Sequence, residues 1–252
     1  MVTFNKYISL EETIGNMENI VMWLKELQQY RNQENNKPQK ESNREQGVKH
    51  DMKLIDISAW QEELDWDGLQ EEGIEGVIIK IGEYDELDEE FVNHVNNAVA
   101  YGFKYGIYFY AHSSNETEAE YEAHTVDEWV KTYLNGKTPE LGIWYDAEDS
   151  DMQSEGNNVA SICMSFVNKM TELGYTYVGI YSSWNWFSEE GSNILPIQDI
   201  PDYVPIWVAN YDSKNWLKEE QPDKNIVCWQ YTDHYSDEFP YDGDIWYDDE
   251  DE

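Results

Sequence analysis

YGIYFYAHSSNETEAEYEAHTVDEWVKTYLNGKTPELGIWYDA, residues 105–147, carries one whole unit of a fold. Two runs rich in aromatic and apolar residues, 105–110 and 141–147, enclose a longer polar stretch, 116–134, that reads as a helix. Strand, helix, strand predicts two parallel strands joined by a crossover. The rhythm continues in both directions. Strand-like runs recur at 53–58 (KLIDIS), 76–82 (GVIIKIG), 177–182 (YVGIYS), 205–210 (PIWVAN) and 225–231 (NIVCWQY), with a short last one at 244–247 (DIWY). Helical stretches lie at 89–101 and 157–173. Seven or eight strands in about 200 residues predict an α/β chain, an irregular TIM-like β/α barrel with some short or missing helices. A doubly wound open sheet is the alternative. No G-x-G-x-x-G follows the first strand, which removes the usual nucleotide-binding reason for that fold.

The bulk properties narrow the function classes. The chain has 252 residues, with 16 Lys and Arg against 53 Asp and Glu, a formal net charge of -37. Nucleic acid and anionic membrane surfaces repel such a polyanion, so neither is an expected partner. No run of about 20 apolar residues predicts a membrane span. The first residues, MVTFNKYISLEETIGN, lack a basic region followed by an apolar one, so no signal peptide is expected. Cys163 and Cys228 both sit in apolar contexts without metal-ligand spacing. They read as buried free thiols, with a single disulfide as the other option.

The N-terminal part has a different character. Residues 9–30 read as an amphipathic helix: Ser9 and Glu12 fit a capping box, and Leu10, Ile14, Met17, Val21 and Leu24 recur at helical spacing. Residues 1–30 are thus a helical extension, and 31–51, polar and broken by Pro38 and Gly47, a linker. Residues 52–247 form the barrel. The acidic tail 248–252 reads as solvated. The stripe at 9–30 could dock on the barrel, on a second copy or on another particle.

The strand ends hold the chemistry. In 141–151, LGIWYDAEDSD, an apolar run breaks into Asp146, Glu148, Asp149 and Asp151. Residues i and i+2 of a strand face the same side, so Asp146 and Glu148 point together. Barrel active sites lie at the C-terminal ends of the strands. Asp56 occupies that position on the first strand, and Asp242 and Asp244 fall near the last. Crowded carboxylates raise one another's pKa, and a protonated acid beside an ionised one is what glycoside hydrolysis uses. A Ca²⁺ or Mg²⁺ site or a solvated rim would use the same residues. The chain also has 11 Trp and 19 Tyr. Trp60, Tyr108, Tyr110, Tyr181, Trp184, Trp207, Tyr211 and Trp229 lie at or just beyond strand ends, where rings could stack on the apolar faces of sugars.

Taken in order, DISAWQ (56–61), GVIIKIGE (76–83), YGIYFYAHS (105–113), WYDAE (144–148), GIYSS (179–183), IWVANY (206–211), WQYT (229–232) and YDGDIW (241–246) resemble glycoside hydrolase family 25, the Chalaropsis-type lysozymes. The resemblance covers about 52–247. It implies cleavage of the β-1,4 bond between N-acetylmuramic acid and N-acetylglucosamine of bacterial peptidoglycan, with retention and without cofactor or metal. It implies Glu148 as general acid and Asp146 as the stabiliser of an oxazolinium formed by the substrate's own acetamido group. Asp56 and Asp242 complete the carboxylate ring. Lys80, Glu83, Tyr108, Tyr181, Trp207 and Gln230 take substrate-binding positions. Three places depart from the family pattern. Tyr84 follows Glu83 where a small residue is usual, 108–110 reads YFY where a His is common, and Asp244 stands where Asn is usual. The last departure leaves Asp242 and Asp244 as alternatives.

Two other classes fit the same segments. A barrel that binds glycan without turnover would keep the groove, and a metal-dependent barrel hydrolase would lose activity to a chelator. With no signal peptide expected, action on the cell wall implies release by lysis or carriage on a phage particle, with 9–30 as the docking element.

Overall fold

The computed structural model describes residues 50–153 and 156–247. The expected helix at 9–30, the linker up to residue 49 and the tail 248–252 lie outside the described residues. Nine strands form one sheet: β1 (Met52–Ile57), β2 (Gly76–Glu83), β3 (Glu86–Leu87), β4 (Lys104–Tyr110), β5 (Ile143–Asp146), β6 (Val178–Ser183), β7 (Ile206–Ala209), β8 (Ile226–Thr232) and β9 (Asp242–Trp246). Their order is β1-β9-β8-β7-β6-β5-β4-β2-β3, and β1 also pairs with β2. That last pairing closes eight strands into a barrel and excludes the open sheet. The two-residue β3, which the sequence pattern does not announce, folds back on β2 as a hairpin outside the ring.

Six consecutive pairings from β1 to β8 are parallel. β9 runs antiparallel to both of its neighbours, β8 and β1. Its first residue, Asp242, therefore lies at the same mouth as the last residues of the other strands. Asp242 pairs in register with Asp56.

The helices follow the expected positions and thin out along the chain. α1 (Trp66–Glu71) is short, α2 (Phe91–Tyr101) and α3 (Glu116–Tyr133) cover β2 and β4, and α4 (Val159–Glu172) covers β5 and β6. After β6 and β7 only α5 (Trp184–Phe187) and α6 (Trp216–Glu220) remain. Side chains that accept an orphan N–H start five of them: Asp65 from Gly68 (3.0 Å), Asn115 from Glu118 (3.1 Å), Asn158 from Ser161 (3.0 Å), Ser183 from Trp186 (3.3 Å) and Asn215 from Lys218 (3.1 Å). No described helix is long and apolar enough to cross a membrane.

Strand alternation creates two cores. Outward residues such as Ile55, Ile79, Ile107, Tyr145 and Ile180 pack under the helices. Inward residues Leu54, Ile78, Trp144, Trp207 and Cys228 fill the barrel. Trp144 is its central plug, meeting Tyr177, Trp207 and Trp246 edge-on at about 6 Å. Its indole N–H donates to Leu141 O at 2.7 Å, so the buried polar atom is satisfied. Both cysteines are buried and free.

Candidate active site

Above Trp144 the inward row changes from apolar to polar. The residues one step nearer the mouth line an open cleft of about 190 Å³: Asp56, Lys80, Tyr108, Tyr110, Asp146, Glu148, Tyr181, Trp207, Gln230 and Asp242, with Ser58 and Trp60 beyond them. All four carboxylates singled out in the sequence reach this cleft, and so do five of the six expected binding residues. Glu83 lies one step outside. The sheet has a β-bulge after Lys80, which turns Glu83 to the side of its register partner Tyr110. There it meets Lys80 Nζ at 3.3 Å and His112 Nε2 at 3.0 Å. Trp184 and Trp229, read as strand-end rings, are structural: their indole N–H groups donate to Glu220 and to Asn210 O.

Gln230 organises the floor. Its Nε2 donates to Asp56 Oδ2 at 2.8 Å and to Asp242 Oδ2 at 3.3 Å. Its Oε1 accepts from Tyr181 at 2.9 Å and Tyr211 at 2.8 Å. One amide thus spaces two carboxylates and holds two phenols. At the rim, Gln61 accepts from Ser58 N and Asp88 from Ala59 N, which fixes the turn that carries Trp60. The Trp60 side chain stands 90% exposed at the edge of the cleft, while Tyr181 and Trp207 are almost wholly buried. Trp60 is therefore the free ring face, and the other two form the floor.

Asp242 and Asp244 separate here. Asp242 lines the cleft, whereas Asp244 is wholly buried beneath it. Asp244 Oδ1 accepts from Trp207 Nε1 at 2.7 Å. Its Oδ2 is buried without a hydrogen-bond partner. Burial, then the charge of Asp56, hold the Asp244 carboxyl well above the carboxylate range, against the lowering hydrogen bond from Trp207.

The cleft acids are all pushed up. Burial, then Asp242, raises Asp56 to about 8, against the lowering hydrogen bonds from Gln230 and Asp244. Burial, then Asp233, raises Asp242 to about 6. Asp146 rises far above the carboxylate range through burial, Glu148 and Asp56, with Lys80 opposing. Its Oδ1 is buried without a hydrogen-bond partner. Glu148, the most exposed of the four, is raised by desolvation and by Asp242 and Asp149. Such a ring holds protons near neutral pH and has unspent acceptors for a cation above it.

Sequence reading missed His112 and named Asp149 only as part of an acidic run. His112 follows β4 and Asp149 follows β5, and Tyr110 donates to Asp149 Oδ2 at 3.4 Å. The available signal was their place one short step beyond strands already read as ending at the mouth.

Comparison with known proteins fits this geometry. The model of the family described as "Glycosyl hydrolases family 25" matches residues 55–238. The autolytic lysozyme of Clostridium acetobutylicum is 26% identical over 187 residues, 72% of this chain and 51% of its own length. The chain thus spans about half the length of the curated relative it matches. The modular autolysin LytC from Streptococcus pneumoniae superposes with a TM-score of 0.65 at 28% identity, over 80% of this chain and 48% of LytC. LytC has also been solved in complex with a synthetic peptidoglycan ligand. The catalytic domain of the endolysin ply40, from bacteriophage P40 of Listeria monocytogenes, shares the fold. Its TM-score is 0.64 at 22% identity, over 81% of this chain and 96% of that domain.

Proposed function

The chain belongs to glycosyl hydrolase family 25, and from that membership we propose that it hydrolyses peptidoglycan as a muramidase. It cleaves the β-1,4 bond between N-acetylmuramic acid and N-acetylglucosamine with retention. The observation that carries this reading is the convergence of Asp56, Asp146, Glu148 and Asp242 on one open cleft. Glu148 is the general acid. It is the accessible member of the ring, and desolvation with the neighbouring charges of Asp242 and Asp149 raises its pKa, the direction a general acid needs. It gives its proton to the leaving glycosidic oxygen.

The substrate's 2-acetamido oxygen attacks the anomeric carbon as that bond breaks, and positive charge spreads over the resulting oxazolinium. Asp146 lies below with an unpartnered oxygen; burial and its acidic neighbours raise its pKa in the free site, and the developing positive charge opposes that rise and favours the ionised form that stabilises it. Asp56 and Asp242, spaced by Gln230, hold the ring and its acetamido arm in place. Glu148, now a carboxylate, takes a proton from the incoming water, which restores the acid and leaves the anomeric configuration unchanged. Trp60 offers the exposed ring face for a neighbouring sugar.

Digestion of purified peptidoglycan tests this directly. Mass spectrometry should find fragments with N-acetylmuramic acid at the reducing end, and NMR of the first product should show the β anomer. Glu148→Gln should lower kcat by about 10²- to 10⁴-fold while the protein still sediments with cell walls. Fragments ending in reducing N-acetylglucosamine, or wild-type protein that binds walls without releasing fragments, would overturn it.

A further inference from the structure

We infer that His112, Asp149 and Asp151 form a binding site for one divalent d-block cation, with Zn²⁺ the best match, at the rim beside the cleft. The inference does not rest on the proposed activity. Nδ1 or Nε2 of His112 and one oxygen of each Asp lie within 4.8 Å of one another. β4 and β5 are parallel neighbours, so the loops that follow them meet at the same mouth and bring these residues together.

The histidine makes this more than a cluster of acids. Its side chain is only 10% exposed, and the residue is held from three directions, two of them on the ring. Nε2 lies 3.0 Å from Glu83 Oε2. Tyr84 stacks on the ring at 3.6 Å and 10°. The backbone N–H of His112 donates to Glu122 Oε1 at 3.0 Å. With the Nε2 proton given to Glu83, Nδ1 presents a lone pair. Nδ1 is buried, has no hydrogen-bond partner and faces Asp149 Oδ2 at 3.5 Å. Two acceptors aimed at one another are unfavourable unless a proton on Nδ1 or a metal cation lies between them.

Ligands about 2.1 Å from Zn²⁺ in a tetrahedron stand about 3.4 Å apart, close to the 3.5 Å already present between His112 Nδ1 and Asp149 Oδ2, and Asp151 lies within 4.8 Å of both residues. A carboxylate on the far nitrogen is the usual device that orients a metal-binding imidazole, and Glu83 supplies it. One nitrogen and two carboxylate oxygens leave a fourth position for water. The imidazole favours Zn²⁺ over Ca²⁺ or Mg²⁺. Asp149 is steadied from its other side, because Oδ1 accepts from Asp151 N at 2.7 Å. A bound ion would clip the β4 and β5 loops together.

The test uses the full chain, stripped with chelator and titrated with Zn²⁺ at pH 7.5. Calorimetry should find one ion per chain. Two-bond ¹H–¹⁵N spectra of the histidines should show the Nδ1 signal of His112 moving on binding, with Nε2 remaining protonated. His112→Ala and Asp149→Asn should each weaken binding at least about tenfold, and Glu148→Gln should retain it. If the Ala variant fails to fold, Asp149→Asn and the wild-type spectra decide alone. The site is refuted if binding is not saturable at one ion, if His112 stays unmoved or protonated on both nitrogens at saturating Zn²⁺, or if Asp149→Asn binds as wild type does.

Discussion

Asp244 is an acid where the family resemblance leads one to expect an amide, and its surroundings explain how the fold accommodates it. A protonated Asp244 accepts from Trp207, and Asn could accept the same bond. The difference emerges with pH. The folded-state pKa of Asp244 is raised, so its favourable contribution is complete below the unfolded value near 4. That contribution is lost as pH rises towards the folded value. Asp56, raised to about 8, and Asp242, raised to about 6, act in the same direction. We therefore expect Asp244→Asn to melt with wild type at pH 4. Above that it should gain up to about 1.4 kcal/mol per pH unit. Thermal melts at pH 4, 6 and 8 measure the gap, and a variant less stable at every pH would mean that Asp244 is ionised in the fold. Much at this scale was legible in the sequence: strand alternation and the rule of strand ends placed Asp56, Asp146 and Glu148 together. The role of Gln230 was not legible from pattern, since its importance lies in the four groups its amide touches.

At the scale of elements, the sequence marked all eight barrel strands within two residues of their observed ends. It did not mark the direction of β9. Alternation carries no polarity, so DIWY reads the same either way. The signal lay beside it: residues 233–241 are too few and too irregular for a crossover helix, and strands joined without one pair antiparallel. This one reversal is what brings Asp242 to the mouth. Close packing is the other element-scale property. Gly179 on β6 stands in register with Trp144 on β5. A Cβ there would lie 2.4 Å from the Trp144 ring and 2.6 Å from Pro205 O. Neither neighbour can yield, because the indole is locked in the barrel by three aromatic rings and the carbonyl belongs to the chain entering β7. Gly179→Ala should destabilise the barrel by about 2–3 kcal/mol or more, read as a lower urea midpoint at unchanged slope. A neutral result would mean that Trp144 is not the fixed plug described above.

For the whole molecule, charge rather than shape sets the expected behaviour. The chain carries a net charge of -37, and most of the acids among the described residues lie on solvated faces of the helices and loops. That charge affects an encounter with an anionic bacterial wall. Long-range repulsion at low ionic strength keeps such a protein from its polymer and slows association more than it alters the chemistry in the cleft. Screening shortens that repulsion to a Debye length of about 8 Å at 0.15 M, less than the width of the barrel, while the cleft contacts act at 3 Å and are little screened. The two effects separate in kinetics. Raising NaCl from about 10 to about 150 mM should increase kcat/KM on intact walls, mainly through association, and should leave turnover on short neutral glycan fragments nearly unchanged. If clearing of walls instead falls steadily from the lowest salt upward, attraction governs the encounter, and a local basic surface outweighs the net charge.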